Sequence, residues 1–94
     1  MTTGTTTVDF GSDPVDSATF NFTDANLIGM TYVEPFLMGG DSTGDNDTDA
    51  HQQLGARCML IADTPNGAGN VNFYADVFIG FVIGTFKIRW GAST

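Results

Sequence analysis

The chain has 94 residues, with eleven acidic side chains against three basic ones, a net charge of −8 and one cysteine. This length predicts a single domain, residues 1–94, and the lone cysteine excludes an intrachain disulfide. The negative charge disfavours direct binding to nucleic acid and to anionic membrane surfaces, because both repel carboxylates.

The first residues, MTTGTTTVDFG, lack the basic start and the apolar run of a secretory signal. The longest apolar run is interrupted by glycines and is too short to span a bilayer. We therefore expect synthesis in a cytoplasm and no contact with a membrane.

Alternation of apolar and polar residues predicts strands along most of the chain, separated by glycine and aspartate turns. The first three predicted strands are residues 5–10, 16–24 and 30–38. The second has one apolar face, formed by Ala18, Phe20 and Phe22, and one polar face. The third contains Pro35, which lacks an amide donor and therefore predicts an edge strand or a bulge.

An acidic segment, GGDSTGDNDTDAHQQ, occupies residues 39–53. Its second half could form one helical turn, because Asp49 and Gln52 have the spacing of a capping box and Gly55 suits a helix stop. Its composition resists burial, and we expect a hydrated loop on an exposed outer face.

The last three predicted strands are residues 56–63, 70–79 and 84–90, the first of them a buried strand. In the other two, alternation directs eight side chains inward: Val71, Phe73, Ala75, Val77, Ile79, Phe86, Ile88 and Trp90. These two strands are expected to form a hairpin. Six strands with at most one short helical turn predict an all-β fold, a small antiparallel β-sandwich or jelly-roll-like domain.

The expected hairpin tip carries Phe81, Val82 and Ile83, although hairpin tips are ordinarily polar. These residues either fill a buried hairpin or contact another chain. Lys87 and Arg89, on the outward face of the last strand, either pair with aspartates of the same chain or contact another subunit. We favour pairing within the chain, with Asp76 as the partner. All five side chains are interface candidates.

No catalytic residues and no cofactor are predicted. The one histidine, His51, lies in a polar segment, and Cys58 alternates within an apolar strand. No serine stands in a nucleophile elbow, and neither a P-loop nor a dinucleotide fingerprint is present.

The acidic segment contains the only candidates for a metal site, Asp45, Asp47 and Asp49. An EF-hand loop starting at Asp45 fails, because Ala50 replaces the required glycine and Ala56 the bidentate glutamate. A calcium loop of another kind would use the same three carboxylates, and zinc needs more nitrogen or sulfur ligands than His51 provides. We expect a solvated loop without a bound metal.

Three stretches of the chain resemble short β-rich structural proteins encoded by tailed bacteriophages and prophages. They are TTVDFGSDPVDSATFNFTD, DNDTDAHQQL and NFYADVFIGFVIGTFKIRW, which together cover most of the chain. The resemblance brings no catalytic motif and no residue roles. It implies a virion component made in the host cytoplasm.

We therefore expect a non-enzymatic virion protein, a capsid decoration or cement protein that associates with itself and with a capsid or tail protein. The alternative is an adaptor in the tail or a fibre that serves host attachment. A third possibility is a small calcium-dependent carbohydrate-binding module whose exposed aromatic residues stack on sugars. The candidates for that stacking are Tyr32, Tyr74 and Trp90.

Overall fold

The computed structural model describes all 94 residues and contains six strands, one α-helix and one 3-10 turn. The strands are β1 (Thr2–Asp9), β2 (Ser17–Thr23), β3 (Tyr32–Phe36), β4 (Cys58–Ala62), β5 (Asn70–Val77) and β6 (Thr85–Ser93). The 3-10 turn is Ala25–Leu27 and the helix, α1, is Thr48–Gly55. The predicted all-β class and the number of strands are confirmed.

The strands form two three-stranded antiparallel sheets, with the orders β1–β6–β3 and β2–β5–β4. Only β4 and β5 are both consecutive in the chain and paired. Every other connection crosses from one sheet to the other. The predicted hairpin of the last two strands is therefore wrong, because β5 and β6 lie at the centres of opposite sheets.

The core lies between the inner faces of the two central strands. Seven of the eight side chains predicted to face inward from β5 and β6 are buried: Val71, Phe73, Ala75, Val77, Phe86, Ile88 and Trp90. The eighth, Ile79, is exposed because β5 ends at Val77. Edge-to-face contacts link the sheets, with ring centroids 5.0 Å apart for Phe10 and Phe20.

Trp90 fills the centre of the core because the strand beside it provides a glycine. Gly4 of β1 lies opposite Trp90, and a Cβ atom at Gly4 would come within 2.2 Å of the Trp90 indole. The indole is fully buried. Trp90 is therefore a core residue, and its candidacy for stacking on sugars is wrong.

Two further predictions concern strand position. β3 is an edge strand, as Pro35 indicated, and the structure places Pro35 opposite Trp90. β4 was predicted to be buried but is also an edge strand. Its alternate residues Met59 and Ile61 are each 55% exposed.

The helix α1 occupies the stretch TDAHQQLG that was predicted to be helical, but its eight residues make about two turns rather than one. Asp47, rather than Asp49, caps it, because the Asp47 side chain accepts a hydrogen bond from the Ala50 amide at 2.9 Å.

Candidate functional site

The acidic segment is folded against the central strand β6 rather than hydrated throughout. β3 ends at Phe36, opposite Arg89, so the first residues of β6 have no strand partner on that side. Side chains of the acidic segment take the place of a strand there. Asp45 Oδ2 accepts hydrogen bonds from Thr85 N at 3.0 Å and from Thr85 Oγ1 at 2.8 Å.

Two more side chains complete this substitute for a strand. Thr43 Oγ1 and Asn46 Nδ2 both donate to the Thr85 carbonyl oxygen, each at 2.8 Å. Side chains thus form the hydrogen bonds of the β6 backbone at the residues that β3 does not reach. The expectation of a simple hydrated loop is wrong for these residues, because their polar groups bond to β6.

His51 is fully buried in α1 and does not lie in a polar loop. Its Nε2 accepts a hydrogen bond from the Lys87 amide, and its Nδ1 donates one to the Asp47 carbonyl, both at 3.0 Å. This pattern requires the neutral ring with its proton on Nδ1. The ring packs 4.8 Å from the centre of Phe86. Both nitrogens are engaged by the backbone.

Arg89 forms the only salt bridge of the structure, with Asp41. Arg89 Nε donates to Asp41 Oδ2 at 2.9 Å, and a terminal guanidinium nitrogen donates to Oδ1 at 2.8 Å. These hydrogen bonds hold the pKa of the Asp41 carboxyl below its ordinary value and raise the pKa of Arg89.

The prediction that Asp76 pairs with the outward cations Lys87 and Arg89 is wrong. Asp76 lies in β5, in the other sheet, where its neighbours across the ladder are Ser17 and Met59. Arg89 is instead neutralised by Asp41, which lies in the acidic segment. Lys87 makes no ion pair.

The three candidate metal ligands have separate surroundings. Asp45 bonds to Thr85, Asp47 caps α1, and Asp49 is exposed in the first turn of the helix. No group of three or more His, Cys, Asp or Glu side chains is arranged to hold a metal ion.

The remaining chemically reactive side chains are also held in ordinary structural positions. Burial raises the pKa of the Cys58 thiol, which disfavours the nucleophilic thiolate. Tyr74 donates a hydrogen bond to Asp63 Oδ2 at 2.8 Å, and this contact raises the pKa of Tyr74. Of the three candidates for sugar stacking, only Tyr32 has a largely exposed ring.

Residues 78–83, which we call the apolar tip, form the most exposed apolar surface of the chain that is contiguous in sequence. Four large side chains are at least half exposed: Phe78 59%, Ile79 70%, Phe81 65% and Ile83 50%. Val82 is buried instead and forms a β-bridge with Val15. Phe81 and Ile83 therefore remain available to a partner, whereas Val82 packs within its own chain.

Arg57 holds the apolar tip in one shape. Its guanidinium donates to the carbonyl oxygens of Ile79 at 3.0 Å and Phe81 at 3.4 Å, and its own carbonyl accepts from Phe78 N at 2.8 Å. Gly80 provides the turn between them with a φ of +78°. The sequence interpretation missed Arg57, because an isolated cation within the predicted strand 56–63 carries no local signal of such a role.

Carboxylates lie near the base of the apolar tip. The Asp16 carbonyl accepts a hydrogen bond from Val77 N at 2.8 Å, and Asp76 directly precedes Val77 in β5. Both aspartates are exposed. The surface thus combines a fixed apolar tip with negative charge beside it.

Comparison of the chain with protein-family models, with curated proteins and with solved structures finds no match. None of the helices in the structure has the length and apolar character needed to cross a membrane.

Proposed function

We propose that this chain is a non-enzymatic structural protein of a tailed-bacteriophage virion, and that it decorates or cements the capsid shell by docking its apolar tip. The observation that carries the proposal is the exposure of four large apolar side chains on one ordered turn. Small soluble domains keep such surfaces chiefly where they meet a partner. Burying the exposed parts of these side chains would contribute on the order of 5 kcal/mol.

The hydrogen bonds from Arg57 make the tip a better docking surface, because they order it before it binds. A loop that is already ordered loses less conformational entropy when it binds. Arg57 donates to two carbonyl groups of the tip and makes no salt bridge with a carboxylate. Its contacts therefore serve the shape of the tip.

The charge of the chain indicates what kind of surface the tip fits. Asp16 and Asp76 lie beside it, and the whole chain carries a net charge of −8. A partner with an apolar pocket and basic residues at its rim would complement this arrangement.

The hydrogen bonds and burial of the polar side chains support a structural role. His51 uses both ring nitrogens to hold backbone groups, and Cys58 has a raised thiol pKa. The virion assignment depends on the resemblance of the three stretches to phage structural proteins. The head is preferred to the tail because a small domain with a single ordered tip suits repeated attachment to a lattice.

The test replaces Ile79 and Phe81 together by serine and measures how many copies bind to each purified phage particle. The matched control replaces Met59 and Ile61, which are exposed to a similar extent on β4. We expect at least about a tenfold loss of particle affinity for the tip variant, equivalent to about 1.4 kcal/mol, and none for the control. Equal binding by folded copies of both variants would contradict the proposal. The number of copies per particle distinguishes a position in the head from one in the tail, since a shell carries many copies and a tail few.

A further inference from the structure

β1 is an edge strand whose free side carries unused hydrogen-bonding groups. Phe10 N donates to Gly84 O at 2.9 Å, which fixes the alternation along the ladder between β1 and β6. By that alternation the backbone groups of Thr3, Thr5 and Thr7 point away from β6. They make no other backbone hydrogen bond and none with a side chain.

The neighbouring strand β2 does not close this side of the molecule. The Cα atoms of β1 and β2 lie more than 8 Å apart along almost their whole length. Paired strands are only about 4.8 Å apart. A groove of about 280 Å³ separates residues 6–9 from residues 19–22. The edge of β1 is therefore accessible to another strand.

β1 also lacks the features that keep edge strands from pairing. Such features are prolines, charged side chains, bulges and short length. β1 has eight residues, and none from Thr2 to Val8 is charged or a proline. The edge strand β3, by comparison, has five residues and contains Pro35.

We propose that two copies of this chain pair antiparallel through the free edges of β1, with Thr5 on the symmetry axis. In this register Thr5 lies opposite Thr5, and Thr3 of one copy lies opposite Thr7 of the other. The outward backbone groups of all three threonines then face each other, as a hydrogen-bonded ladder requires. The two sheets with the order β1–β6–β3 become one six-stranded sheet.

Charge favours a second copy as the occupant and β1 as the edge. The pairing about Thr5 brings neutral threonines together and opposes no carboxylate to another, since Asp9 lies opposite residue 1. The edge strand β2, by comparison, is flanked directly by Asp16 and Asp24, and self-pairing in the register about Phe20 would oppose these two carboxylates at both ends. Like charges directly opposite each other destabilise a strand pair.

The pairing goes beyond the proposed function, because it uses a different surface and does not depend on the apolar tip. The dimer would carry two tips. Two linked binding sites bind a surface more tightly than one. A dimer of this kind could therefore bridge two subunits of a shell.

The test measures association by sedimentation velocity for the wild type, Thr5→Lys and Thr5→Glu. We expect the wild type to form dimers and each variant alone to dimerise at least about tenfold more weakly, because like charges meet on the axis. An equimolar mixture of the two variants should restore dimers, which native mass spectrometry would identify as heterodimers. The controls Thr19→Lys and Thr19→Glu, on β2, should dimerise as the wild type does.

Several results would overturn the proposal. One is a wild type that stays monomeric at about 1 mM, and another is a folded mixture of the two Thr5 variants that stays monomeric. The others are Thr5 variants that dimerise as strongly as the wild type, or Thr19 controls that dimerise more weakly than it.

A second measurement, hydrogen exchange, needs no variant. The amides of Thr3, Thr5 and Thr7 should exchange more slowly as the protein concentration rises. This test is independent of the test of the tip. The variant at Ile79 and Phe81 should still dimerise, and the Thr5 variants should still bind to particles.

Discussion

At the scale of single residues, His51 shows how a side chain suited to catalysis serves the backbone instead. Its ring bridges the Asp47 carbonyl and the Lys87 amide, so that one side chain joins α1 to β6. The residue is fully buried, so the ring is shielded from bulk solvent. The amide of Lys87 depends on this contact, since β3 does not reach it.

Replacing His51 by alanine should lower the free energy of unfolding by about 2–4 kcal/mol. The variant leaves a cavity beside Phe86 and removes the acceptor for the Lys87 amide. Urea denaturation measures the change, and Gln53→Ala is the control, because Gln53 is exposed in the same helix. Equal stabilities of the two variants would show that the bridge contributes little. Nitrogen chemical shifts of the wild type should show Nδ1 protonated and Nε2 unprotonated.

The salt bridge of Asp41 and Arg89 predicts a specific dependence of stability on pH. Because the pKa of Asp41 is lowered in the folded protein from 3.8, folding is favoured when this group is ionised. Its contribution is fully present above the unfolded pKa and is lost as the pH falls through the folded pKa. Asp41→Asn should therefore be less stable than the wild type at about pH 6, and the difference should shrink towards about pH 2.

Urea denaturation of both proteins across this range measures the difference. A difference that stays constant from about pH 6 to about pH 2 would contradict the role assigned to the ionised carboxylate.

At the scale of elements, the acidic segment acts as the missing end of an edge strand. β3 covers only part of β6, and Thr43, Asp45, Asn46 and His51 satisfy the remaining backbone groups. Its aspartates are placed for hydrogen bonding rather than for a shared ion. Their effects on stability should therefore be unequal and independent of calcium.

Replacing Asp45 by alanine should lower the free energy of unfolding by about 1–3 kcal/mol, because the Thr85 amide loses its acceptor. Asp49→Ala should change it by less than about 0.5 kcal/mol, because the Asp49 side chain is exposed and makes no salt bridge. Thermal melts in calcium and in chelator measure both variants. A stabilisation by calcium that disappears in either variant would instead indicate an ion site.

The sequence predicted the alternation of β5 and β6 correctly, because burial on one face of a strand is a local property. It could not predict which strands pair, because pairing depends on contacts between distant segments. β4 was predicted to be buried because all five of its residues are apolar, so that Met59 and Ile61 could not be distinguished from core residues. The acidic segment was predicted to be hydrated from its composition, whereas Asp41 bonds to a partner 48 residues away.

At the scale of the whole molecule, the chain presents two different surfaces on one acidic domain. The apolar tip is held by Arg57, and the edge of β1 is neutral and unpaired. We propose that the apolar tip docks on a shell protein and that the edge of β1 pairs with a further copy of the chain. Together they would allow one small protein to join several neighbours without an enclosed binding site.

Electron microscopy of the intact phage particle tests the central claim, docking to the shell by the apolar tip, most directly. We predict density for this domain in many copies on the outside of the capsid, with Phe78, Ile79 and Phe81 against a shell protein. The surface that they contact should be apolar with basic residues at its rim. Particles without the domain, or particles that hold it with the apolar tip facing solvent, would contradict the account.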